Sequence, residues 1–121
     1  MTDYNKVYDE FLALIDKGLA DSTKASEALV RLSRIFGEYN SLANAAKKKA
    51  IIKLSELTQT VDAATNKPIT GAKADALADA SAENQAFMDL RTDLETLTVY
   101  ISAVKYYSQG MVKEWSNASN T

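Results

Sequence analysis

At 121 residues the chain is long enough for one domain, and a net charge of −2 gives it no overall bias toward nucleic acid or an acidic surface. Cysteine and histidine are both absent, which excludes disulfides, thiolate chemistry, sulfur metal sites and the commonest general base near neutrality. Four glycines and one proline in a chain rich in alanine predict long helices and argue against a turn-rich β fold.

The N-terminal segment, 1–20, predicts a helix from about Asp3 to Lys17. Thr2 or Asp3 supplies the cap, since a short oxygen side chain accepts from the orphan amides of a first turn. Tyr4, Val7, Tyr8, Phe11, Leu12, Leu14 and Ile15 make one broad apolar face. Gly18 suits the left-handed position just past a helix end, and Asp21, Ser22 or Thr23 caps the next helix. This acidic, amphipathic start is unlike a secretory leader, and no run of about eighteen apolar residues comes after it that could cross a bilayer. A cytoplasmic protein is expected.

A long helix is predicted over 22–61. Its stripe is Ala25, Leu29, Leu32, Phe36, Tyr39, Ala43, Ala46 and Ala50, at alternating steps of three and four, and then Leu54, Leu57 and Val61 after a slip of one position. Gly37 lies inside it. Residues 62–71, DAATNKPITG, are the one clear break. Pro68 and its predecessor Lys67 resist helix, Asn66 and Gly71 tolerate turn geometry, and Thr70 can cap the next helix.

A second long helix is predicted over 72–115, with Phe87, Leu90, Leu94, Leu97, Ile101 and Val104 as its stripe. The tail, 116–121, lacks an apolar anchor and is expected to fray. Folding the two helices about Lys67 brings Leu57 near Leu77, Ile52 near Ala82, Ala46 near Phe87 and Met88, Phe36 near Leu97 and Ile101, and Leu29 near Val104. The expected fold is therefore all-α: a long antiparallel, coiled-coil-like helical hairpin in one domain, with a short N-terminal helix packed at one end. Tyr4, Tyr8, Phe11, Phe36, Tyr39, Tyr100, Tyr106, Tyr107 and Trp115 would gather at that end, leaving a slender alanine-rich arm.

The arm raises a problem of coverage. A helix of 44 residues is about 66 Å long, whereas a compact chain of this size has a diameter of only about 35–40 Å. An elongated two-helix arm buries little. Ile51, Ile52, Leu54, Leu77 and Met88 exceed what one narrow seam covers. A second copy completing a four-helix region is the simplest remedy, and a partner protein would serve equally well; a homodimer or higher homo-oligomer is expected, with Ile51, Ile52, Leu54, Leu77 and Phe87 as association residues.

Charge is unevenly spread: 1–21 carries −3, 22–63 carries +3 and 64–121 carries −2. Lys47, Lys48, Lys49 and Lys53 form the one basic cluster, and its functional reading is contact with nucleic-acid phosphates. Three adjacent helical residues fan over about 200°, which disperses such a patch. Asp75, Asp79 and Glu83 recur every four residues, and they read as an acidic stripe facing the basic helix better than as a metal or acid–base site. No nucleophile elbow, phosphate loop, dinucleotide fingerprint or calcium loop is present, so neither catalysis nor a cofactor or metal is expected.

The stretch ITGAKADALADASAENQAFMDLRTDLETLTVYISAVK, Ile69 to Lys105, resembles small helical proteins of tailed bacteriophages, through Phe87, Arg91, Leu94, Glu95, Leu97 and Lys105. The resemblance implies viral origin, helical form and residence in the host cytoplasm, and it carries over no functional residue. The sequence thus favours a non-enzymatic interaction or assembly module that self-associates, a phage accessory protein by resemblance. The alternatives are an accessory nucleic-acid-binding protein using Lys47 to Lys53, or an inhibitor of a host enzyme.

Overall fold

The computed structural model describes residues 3–62, 66–68 and 71–119, with side chains described from Tyr4 to Gly110 apart from Asp62 and Pro68. The elements in chain order are α1 (Asp3–Asp16), α2 (Ser22–Thr58), β1 (Val61–Asp62), β2 (Lys67–Pro68), α3 (Gly71–Asp79) and α4 (Ala82–Ser119). The architecture is an all-α helical hairpin in which α2 and α4 pack against each other, preceded by the short α1.

Local chemistry accounts for the helix ends. Gly18 takes φ +70°. Its N–H donates to the Ile15 carbonyl at 3.0 Å, and the Leu19 N–H reaches back to the Leu14 carbonyl at 2.8 Å. These two bonds close α1 in a Schellman motif, with Gly18 in the position that disfavours a Cβ. Asp21 then caps α2: its Oδ1 accepts from the Lys24 N–H at 2.8 Å, and its carbonyl accepts from the Ala25 N–H at 2.9 Å.

At its far end α2 stops at Thr58, short of the expected Val61. The Thr58 hydroxyl donates to the Ser55 carbonyl at 2.7 Å and the Thr60 hydroxyl to the Glu56 carbonyl at 3.0 Å. Such local bonds compete with helix continuation. The expected loop contains a two-residue antiparallel ladder, with Val61 opposite Pro68 and Asp62 opposite Lys67. Asn66 turns the chain at φ +56°, a conformation that Asn tolerates better than most residues.

The helix expected over 72–115 is interrupted at Ala80 and Ser81, giving α3 and α4. Side chains cap both sides of the break. The Asp79 carbonyl accepts from Asn84 Nδ2 at 3.1 Å and Gln85 Nε2 at 3.3 Å. Ser81 Oγ accepts from the Asn84 N–H at 3.2 Å and donates to the Ala78 carbonyl at 2.6 Å. At its C-terminal end α4 continues through Ser119, past the expected start of the tail at 116. The expected caps Thr2 and Thr70 and the last residues Asn120 and Thr121 lie outside the described residues, and the side chains of Asp3 and Trp115 outside the described side chains.

The chain divides into two compact units, both built on α2 and α4. The first comprises Met1–Glu38 and Leu94–Thr121, the second Tyr39–Asp93. In the first unit Tyr4, Val7 and Phe11 of α1, Ala25, Ala28 and Leu32 of α2, and Leu97 and Val104 of α4 are buried. Aromatic rings join them. Tyr8 stacks on Tyr100, Tyr4 is tilted against Tyr100, and Phe11 meets Tyr107 edge-on. Arg31 and Glu10 form an ion pair at 2.9 Å between α2 and α1. Tyr106, expected in this aromatic group, is 80% exposed.

Within the first unit, Ser33 and Phe36 share a groove with Thr98, Ile101, Ser102 and Lys105. Within the second, Leu42, Ala45, Ala46 and Lys49 share one with Glu83, Ala86 and Leu90. Each arrangement is antiparallel and agrees with the register expected from folding about Lys67.

Candidate functional site

The second unit is built unlike the first. Its buried apolar residues are Tyr39, Ala43, Ala74 and Ala78. Small side chains let helices approach closely, yet each removes little apolar surface from water. Larger apolar residues of the same unit stay outside: Leu42, Ile51, Ile52, Val61, Leu77 and Met88 are each 43–58% exposed.

Helical geometry aims two of them. Tyr39, Ala43, Ala46, Ala50 and Leu57 mark the inward face of α2 and are buried or half-buried. At about 100° per residue, Ile51 and Ile52 straddle the line opposite that face. Lys47 and Lys48 lie one turn before them, so each isoleucine has an exposed ammonium beside it. Lys49 lies to the side, in the groove that also holds Glu83.

Of the expected association residues, Ile51, Ile52 and Leu77 are exposed, whereas Leu54 and Phe87 are half-buried within the unit. Of the basic cluster, Lys47, Lys48 and Lys49 are exposed and Lys53 is half-buried. Sequence reasoning placed Val61 on the inward stripe, but the early stop of α2 puts it in β1, where it is exposed. It also passed over Leu42. The signal was available, since Leu42 lies about 100° from its neighbour Ala43 and so falls at the edge of the stripe.

Charges in this unit are arranged in two sets. Lys47, Lys48, Lys49 and Lys53 lie on α2, and Asp75 and Asp79 on α3 with Glu83 and Asp89 on α4. Lys49 and Glu83 face the same groove, as the expected acidic stripe beside the basic helix implies, yet among the described residues no ion pair within 4.0 Å joins the two sets. The described residues contain no cluster of three acidic side chains arranged to hold a metal ion. None of their helices is long and apolar enough to cross a membrane.

No family model matches the chain, and no curated protein or solved structure is significantly similar to it.

Proposed function

We propose that the chain is a non-enzymatic assembly module that associates with a second copy of itself through the second unit, with Ile51, Ile52 and Leu77 at the contact and Leu54 and Phe87 supporting it from beneath. The observation that carries this reading is the distribution of size: three of the four described buried apolar residues of the unit are alanines, whereas Leu42, Ile51, Ile52, Val61, Leu77 and Met88 are exposed. The resemblance of Ile69 to Lys105 to small phage proteins is what supports a viral accessory role in this reading.

Covering the exposed half of Ile51, Ile52 and Leu77 on each of two copies removes apolar surface from water, contributing about 1 kcal/mol for each side chain. A two-fold arrangement uses the same patch twice, so one surface suffices.

The test compares two glutamate substitutions at similarly exposed positions, 58% at Ile52 and 63% at Val99. Ile52→Glu, in the second unit, is expected to reduce the particle mass in light scattering to that of one chain. Val99→Glu, in the first unit, is expected to leave the mass unchanged. An Ile52→Glu protein with the parent's mass would remove the reading. The exposed Lys47, Lys48 and Lys49 favour a second reading, contact with nucleic-acid phosphates. It predicts a salt-dependent mobility shift of labelled DNA that reversing these charges abolishes.

A further inference from the structure

The two charge sets of the second unit point to how the copies meet. Each set is self-repelling at close range, and helix geometry offers each a partner of opposite sign within the same unit. Lys49 and Glu83 even line one groove. Among the described residues, however, none of Lys47, Lys48, Lys49, Lys53, Asp75, Asp79, Glu83 or Asp89 makes an ion pair. The contrast with the first unit is direct, since Arg31 and Glu10 do pair there at 2.9 Å.

We infer that these charges are complementary between copies: the lysines of one chain face the acidic side chains of α3 and α4 of its partner, around the shared apolar contact of Ile51, Ile52 and Leu77. The inference rests on the self-association proposed above and adds its pairing mode. Two-fold symmetry fits it, because in an isologous interface a residue that meets a second type is itself met by that type across the axis. Two copies therefore make the lysine-to-carboxylate contact twice. Lys47 and Lys48 stand one turn from Ile51 and Ile52, so the charges form a polar rim beside the apolar centre, the usual anatomy of an association surface. Rim charges of this kind set encounter rate and register, and they penalise arrangements that bring like charges together. A face-to-face approach of α2 on α2 alone, with lysines opposed, is disfavoured on this ground.

Two charge-reversed forms of the full chain test it. One carries Lys47→Glu, Lys48→Glu and Lys49→Glu; the other carries Asp75→Lys, Asp79→Lys and Asp89→Lys. Self-association is measured by sedimentation at about 50 mM and about 500 mM salt, below and well above the screening needed for such contacts. The parent is expected to weaken by about tenfold at high salt. Each reversed form alone is expected to bind itself at least about tenfold more weakly than the parent, and an equimolar mixture to form a heterodimer within about threefold of parental affinity. Recovery on mixing also shows that both forms are folded. A parent that self-associates while the reversed forms do so equally well, or whose mixture shows no recovery, overturns the complementary pairing and leaves the apolar contact standing. A parent that remains a single chain under all conditions overturns the underlying self-association as well.

Discussion

The ring of Tyr8 lies on the ring of Tyr100, with centroids 4.1 Å apart and planes within 7° of parallel. The Tyr100 hydroxyl also donates to Asn5 Oδ1 at 2.8 Å. One side chain of α4 is thus held by α1 through a stack and a hydrogen bond. Stacked aromatic pairs contribute about 0.5–1.5 kcal/mol beyond the area they bury.

Tyr100→Phe keeps the stack and removes the hydrogen bond. The expected loss of stability is about 1 kcal/mol. Tyr100→Ala removes both and is expected to cost about 3 kcal/mol. Urea unfolding monitored by circular dichroism measures each. Equal stability of the two variants would show that the ring contributes nothing to holding α1.

Leu32 and Val30 contrast burial on one helix. Leu32 is fully buried in the first unit, whereas Val30 is largely exposed. Leu32→Ala is expected to cost about 2–5 kcal/mol and Val30→Ala less than about 0.5 kcal/mol. Thermal melts of the two proteins check the difference, and comparable losses would contradict the assigned face of α2.

Two glycines are expected to respond oppositely to alanine. Gly18 has open space where a Cβ would stand, but its φ of +70° is strained for an L side chain. Gly18→Ala is expected to destabilise by about 1 kcal/mol. Gly37 lies within α2, also with open space at the Cβ position, and has no such constraint. Gly37→Ala is expected to stabilise by about 0.5–1 kcal/mol through helix propensity and a less disordered unfolded chain. Denaturant midpoints of the pair report the signs.

Ser81 holds the break between α3 and α4. Ser81→Ala removes the bond from the Asn84 N–H to Oγ and is expected to cost about 1 kcal/mol. Amide hydrogen exchange at Asn84 and Gln85 is expected to rise in the variant. Unchanged protection there would mean that the backbone alone sets the break.

These elements differ in how plainly the sequence announced them. Gly18 and Asp21 are a helix stop and start with strong local chemistry, and both act as expected. The stripe from Ala25 to Leu57 is buried or half-buried throughout, since a three-four rhythm leaves little choice of inward face. Ser81 was harder to see. The surrounding ALADASAENQ contains neither glycine nor proline, and its alanines favour unbroken helix, so the cap chemistry of Ser81, Asn84 and Gln85 decides against local propensity. In the candidate site, the sequence points to Ile51, Ile52 and Leu77 as more apolar surface than one seam covers, and all three are exposed. Its charges are legible as an acidic stripe facing the basic helix, because sequence register supplies opposite signs at matching levels, but register does not give the reach of the side chains.

The exposure of Ile51, Ile52 and Leu77 beside a core largely of alanine implies that a second chain covers them. Sedimentation of the parent protein over a hundredfold or so range of concentration about the micromolar level tests it most directly. The mass is expected to rise toward twice that of the single chain as concentration increases. A constant single-chain mass over the whole range would contradict it.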